Sequence, residues 1–214
     1  VNNMRTPILG NVYMLRHQKA GLPQNMERLL AGIDEATKRA ADMLRQVLDF
    51  SRKGPENFAP TDAVALLDKV LNLLEYRLRK GQVKVHKDYG PRPVAVMANG
   101  KQIEQVIANL VINAIDAMEG GGDLNISIRE QPAPAEGNGG SSVEIRLSDS
   151  GAGIPEEIRE SIFEPFFSTK PEGQGTGLGL FISHGIIEKH GGILEVESEV
   201  GQGTTFSITL PAPE

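Results

Sequence analysis

Cysteine is absent from the 214 residues, which excludes disulfides and any thiolate metal centre. No apolar run approaches the roughly 20 residues of a membrane-spanning helix, and no signal-peptide pattern precedes the first helical stretch. The segment is therefore expected to be soluble and to make no direct membrane contact. An excess of positive charge is missing too. The net charge is −6 at pH 7, so nucleic acid is not an expected partner. Internal repeats are lacking. The hydrophobic content, 39% of 214 residues, suffices for a proper core in one or two domains.

The charge that is present divides unevenly: residues 1–53 carry +4 and the remainder −10. In the basic part, apolar residues recur at helical spacing. Ile8, Val12 and Leu15 form one stripe; Met26, Leu29, Leu30, Ile33, Ala36, Met43, Leu44, Val47 and Leu48 form a second. The run from Lys19 to Pro23 breaks them, with Pro23 at the first position of the second helix. Residues 1–53 thus read as a helical hairpin. Two helices have too little partner surface to bury both stripes, so pairing with a second copy into a four-helix bundle is the economical solution. A homodimer through residues 1–53 is expected; packing of the hairpin on the downstream domain is the alternative.

Residues 54–60, rich in Pro, Gly and polar side chains, read as a linker. Residues 61–214 then mix helix and strand. A helix is expected over about 61–79, strands near 83–87 and 94–98, and a long helix to Met118 opened by Asn99 with Gln102 as a capping-box-like pair. Strands near 124–129 and 143–147 flank a Pro-, Gly- and Ser-rich loop, 130–142. A helix near 180–189 and strands near 193–197 and 205–210 complete the module. The fold class is α+β: the helical hairpin, then helices on one face of a mixed sheet in a two-layer α/β sandwich.

Chemistry concentrates in this second module. Asn109 and Asn113, four residues apart, put two amides on one helix face, where they can reach a metal ion and the phosphates it bridges. Asp149 ends an alternating strand and opens the turn Asp149-Ser150-Gly151-Ala152-Gly153; its carboxylate can accept a hydrogen bond from an exocyclic amine. The cluster Gly175-Thr176-Gly177-Leu178-Gly179 lets backbone N–H groups approach phosphate oxygens. Phe163-Glu164-Pro165-Phe166-Phe167 stands between the two glycine segments. Together these point to a nucleotide pocket.

In this order, and with Gly203-Thr204-Thr205-Phe206 closing the series, the chain resembles the catalytic half of a sensor histidine kinase, of the wider gyrase-like ATPase superfamily. The resemblance covers nearly the whole chain. It implies ATP and Mg2+ as ligands, with Asn113 on the metal and Asp149 on the adenine amino group. Gly151, Gly153, Gly175, Thr176, Gly177, Leu178, Gly179 and Thr205 complete the implied nucleotide set, Thr205 closer to the pocket floor than to the chemistry. The stretch from Phe163 to Gly179 would form a lid with Phe166 and Phe167 anchored on apolar surface and Lys170 as a phosphate contact. Asn109 occupies the place where the related ATPases carry a water-activating glutamate. An amide cannot take a proton from water at neutral pH, so the pocket is suited to holding the γ-phosphate for another nucleophile.

That nucleophile, by resemblance, is a histidine on an exposed helix. None of His17, His86, His184 and His190 fits, and for His190, at a helix end before Gly191-Gly192, a charge interaction with the helix terminus is the expected role. Two alignments of the chain's start with the family's phosphoacceptor pattern are open. In one, Val1-Asn2-Asn3 follows a histidine two residues before Val1, and Asn3 sits on the face that orients water for dephosphorylation. In the other, Met4-Arg5-Thr6-Pro7-Ile8 sets the register and Asn2 stands where the histidine belongs. The first is preferred, because Val1 begins in mid-helix. The expected function is an ATP-dependent histidine kinase core, cytoplasmic, within a soluble or membrane-anchored parent, that passes its phosphoryl group to the aspartate of a response-regulator receiver domain. The alternative is a degenerate kinase used as a nucleotide-responsive dimer or regulator-binding module.

Overall fold

The computed structural model describes residues 26–34, 37, 40, 57–90, 94–131, 140–170 and 175–213. The first helix of the expected hairpin, with Asn3 and His17, lies outside the described residues, as do residues 41–56 and 132–139. Residues 26–34 are helical. There Leu30 is buried while Met26, Leu29 and Ile33, at positions i, i+3 and i+7, are exposed.

The expected linker and helix meet differently from the sequence reading. Ala59–Asp62 is a strand, β1, antiparallel to β3 (Ala95–Ala98) with Ala59 opposite Ala98. Pro60 is accommodated because β1 is the edge of a two-stranded sheet. Helix α1 (Ala63–Leu73) begins only after Asp62, whose carboxylate accepts the N–H groups of Val64 and Ala65 at 2.8 and 3.1 Å. It stops at Leu74, and a short α2 (Glu75–Lys80) follows.

The main sheet has five strands in the order β2-β4-β5-β7-β6. They are β2 (Val83–Asp88), β4 (Gly122–Gln131), β5 (Ser142–Asp149), β6 (Ile193–Glu199) and β7 (Gly203–Pro211). The β2/β4 pair is parallel and the others are antiparallel, so the sheet is mixed, as expected. Two-residue alternation decides its faces. Val143, Ile145, Leu147 and Asp149 of β5 share one side with Leu124, Ile126 and Ile128 of β4 and with Phe206, Ile208 and Leu210 of β7, all buried. Helices α1, α3 (Gly100–Ala117) and α4 (Gly179–Lys189) cover that side with Leu67, Ile107, Leu110 and Ile187 in one continuous core. Helix α3 starts where expected: Asn99 Oδ1 accepts the N–H of Gln102 at 3.4 Å. Its own N–H is taken by His190.

Candidate functional site

Asn109, Asn113 and Asp116 fall at i, i+4 and i+7 on α3 and share one face of it. The two amides do different work. Asn109 Nδ2 donates to the carbonyl of Gly179 at 3.3 Å and to Ser183 Oγ at 3.2 Å, so both its hydrogens tie α3 to the first turns of α4. Asn113 Oδ1 instead receives the ammonium of Lys170 at 3.4 Å, and the same ammonium lies 2.6 Å from Asp116 Oδ2. A cation therefore already stands between an amide oxygen and a carboxylate oxygen, which is the donor chemistry of Mg2+. Asp116 escaped the sequence reading; its place one further turn along the asparagine face was the signal that could have found it.

Asp149 ends β5 and is buried on the helix side of the sheet. Its Oδ1 accepts the N–H of Gly151 at 2.8 Å and of Thr204 at 3.3 Å. Burial pushes the carboxyl above its ordinary value, and those two N–H groups pull against it. The turn that follows rests on the end of the asparagine helix, because Ala152 N–H donates to the carbonyl of Ala117 at 3.1 Å. Since Ala117 is one turn beyond Asn113, the amide, the carboxylate and the aspartate turn are neighbours at the C-terminal end of α3, the candidate cleft.

Close approach of backbones explains three of the glycines without any ligand. Gly153 has φ +73°, and a Cβ there would overlap the carbonyl of Glu199. Gly177 has φ +65°, and a Cβ there would overlap the backbone of Phe166. Gly151 likewise faces the carbonyl of Ala117, 2.8 Å from where its Cβ would be. Gly179 is different: the nearest atom to a Cβ there would belong to the Asn109 side chain, at 3.7 Å, an ordinary contact. Gly175 and Thr176 are half-buried, Thr176 Oγ1 accepts the N–H of Leu178 at 3.3 Å, and Leu178 itself is a core side chain that offers the cleft only its backbone.

Of the two phenylalanines expected to anchor the lid segment, Phe167 does so and Phe166 does not. Phe163 and Phe167 pack against the core, but Phe166 is 70% exposed at φ +69°, its N–H donating to the carbonyl of Gly177 at 2.9 Å. Residues 171–174 of the lid lie outside the described residues.

Thr205 is not brought to the cleft. The register sets Thr204 opposite Asp149 and Thr205 opposite Ser148, to which its hydroxyl is bonded at 2.8 Å on the far face of the sheet. Thr204, buried, is the residue beside Asp149. A shallow concavity of about 640 Å³ on that far face is lined by Ser148, Thr205, Glu197 and Arg159. Asp149 and Thr204 line it as well, and neither Asn109 nor Asn113 does.

The histidines divide as follows. His86 is exposed against Asp123 at 2.7 Å, and His184 packs its ring on Phe163 at 5.3 Å between centroids. His190 is 5% exposed and bonded to two backbone groups. Its Nδ1 meets the carbonyl of Ile186 in the last turn of α4, so the ring engages the helix end through a hydrogen bond.

Residues 98–214 match the family described as Histidine kinase-, DNA gyrase B-, and HSP90-like ATPase. The chain belongs to this ATPase family, in its sensor histidine kinase branch. Sensor kinase CckA of Brucella abortus is 38% identical over 221 aligned residues, covering 98% of this chain and 23% of that protein. The catalytic domain of histidine kinase ThkA is 32% identical and superposes with a TM-score of 0.63 over 73% of this chain and 98% of that domain. A structure of ThkA in complex with the response regulator TrrA is 27% identical, with a TM-score of 0.71 over 97% of this chain and 57% of that one. This chain spans only 20 to 26% of the first three curated relatives. Among the described residues no helix is long and apolar enough to cross a membrane. The family match supports ATP binding by residues 98–214.

Proposed function

We propose that the chain is the core of a cytoplasmic sensor histidine kinase. It binds Mg-ATP in the cleft of residues 61–214 and transfers the γ-phosphoryl group to a histidine just upstream of Val1, from which the aspartate of a receiver domain takes it. Asn113 holds the metal, aided by the acidic Asp116 beside it; Asp149 accepts the adenine amino group; Gly175–Gly179 and Lys170 face the phosphates. Bound Mg2+ would offset charge on the transferring group. By the family resemblance, Asn3 would help orient water for dephosphorylating the response regulator. The exposed Met26, Leu29 and Ile33 stripe supports dimerisation through residues 1–53, since a second copy would cover it. The pairing of ThkA with a response regulator supports the receiver as partner.

One observation carries the reading. Asn109, which by resemblance stands where related ATPases carry a water-activating glutamate, has both of its N–H bonds committed to Gly179 and Ser183. Its only remaining polar atom is an amide oxygen, which is far too weak a base to ionise water. A chain extended upstream of Val1, incubated with γ-labelled ATP and Mg2+, should yield an acid-labile phosphoprotein that Asn113→Ala abolishes. Steady ATP hydrolysis without labelled protein would overturn the assignment, and ATP binding with neither outcome would leave a nucleotide-responsive binding module.

A further inference from the structure

Helices α3 and α4 run antiparallel, and polar bonds tie α3 to both ends of α4. At one end, Asn109 bonds Gly179 and Ser183. At the other, His190, the residue that caps α4, receives the backbone N–H of Asn99 on Nε2 at 3.0 Å and places Nδ1 2.7 Å from the carbonyl of Ile186. An amide N–H can only donate and a carbonyl can only accept, so the imidazole is neutral with its proton on Nδ1. Asn99 is the N-cap of α3. The incoming chain converges on the same point: Phe58 packs edge-on against the His190 ring at 4.6 Å, and β1 is paired with β3, which runs directly into Asn99.

Between the two ties the residues these helices bury are aliphatic, among them Ile103 and Ile107 of α3 and Ile182 and Ile186 of α4. Apolar packing holds the helices together but is not directional, whereas a hydrogen bond fixes a position along the axis. Axial position matters because the glycine cluster Gly175–Gly179 leads into α4, while Asn113 rides on α3.

We propose that His190 is a positioning residue for nucleotide binding: by fixing α4 against the N-cap of α3 it sets the approach of the Gly175–Gly179 backbone to Asn113. This rests on the nucleotide-site reading above. The chemistry separates three substitutions. His190→Leu keeps bulk and removes both bonds. His190→Asn keeps an amide near Nδ1 for Ile186 but is too short to reach Asn99. His190→Gln carries an amide oxygen out to the position of Nε2 and restores the acceptor for Asn99.

The test measures Kd for Mg-ATP by calorimetry, together with Tm, on the full 214-residue chain. All three variants are expected to melt lower. The Leu and Asn variants should bind Mg-ATP about tenfold more weakly, and the Gln variant within about threefold of the unsubstituted chain, the ratios expected for losing or keeping one buried hydrogen bond. Should the Leu variant fail to fold, the Asn and Gln pair decides. Variants that lose Tm while Kd stays unchanged, or Asn and Gln variants with equal Kd, overturn the inference alone. An unsubstituted chain that binds no Mg-ATP overturns the nucleotide reading itself.

Discussion

Lys170 sets its ammonium 2.6 Å from the carboxylate of Asp116, 54 residues away in sequence, and so latches the lid to the asparagine helix. The pair is partly exposed, which limits its worth to the fold, and exposed ion pairs contribute about 0–1 kcal/mol. Its consequence lies in binding: the same ammonium can turn to a phosphate. Lys170→Met should leave the thermal unfolding midpoint nearly unchanged while weakening Mg-ATP about tenfold, as loss of one charge-assisted bond implies. Equal affinities in a calorimetric titration would show that Lys170 serves only Asp116 and Asn113.

Asp149 predicts a pH signature. Burial raises its carboxyl above the ordinary value in the folded chain, so between the ordinary and the raised value the native state binds more protons than the unfolded state. Stability contributed by this group is therefore present at low pH and lost as pH rises through the raised value. Nucleotide affinity runs the other way, because the ionised carboxylate is the acceptor. Kd for ATP should climb on acidification before the ordinary carboxylate range is reached, and Asp149→Asn should flatten that climb and weaken binding throughout. A wild-type profile that parallels the Asn variant would remove Asp149 from the adenine contact.

Two glycines should behave oppositely. Gly153→Ala forces a side chain onto the carbonyl of Glu199 at φ +73° and should cost about 3 kcal/mol or more in denaturant unfolding. Gly179→Ala meets nothing nearer than 3.7 Å in the first turn of α4. It should leave stability unchanged or improve it by up to about 1 kcal/mol, yet weaken ATP by filling the space a phosphate would use. If Gly179→Ala binds ATP normally, the backbone there does not approach the phosphates.

Thr205→Val removes only the bond to Ser148 on the far face of the sheet. It should cost about 1 kcal/mol in unfolding and leave ATP affinity intact, against the implication of the family resemblance. Weakened binding would place the nucleotide across the sheet edge instead of on its helix side.

Part of this was open to inspection in the chain itself. Alternation in β5 predicts that Asp149 lies on the side of Leu147, and the same two-residue count predicts that Thr204, in phase with Phe206, joins it while Thr205 does not. The spacing of Asn109 and Asn113 fixes their common face, and Asp116 belongs to it by the same arithmetic. The beginning of α1 was missed because Asp62 caps a helix whose preceding residues, Pro60 included, look like linker until β3 is there to pair with them.

Sequence alone determined the strand and helix periods, the cap at Asn99, the order of the motifs and the pair of amides at Asn109 and Asn113. These are properties of residues a few positions apart, and local stereochemistry enforces them whatever the rest of the chain does. Only the tertiary structure decided that Lys170 meets Asp116, that Phe166 faces solvent while Phe167 does not, and that His190 reaches back 91 residues to the N–H of Asn99. Those contacts depend on how far one helix is shifted along another and on which strands are neighbours, quantities fixed by packing of the whole core and carried by no short segment.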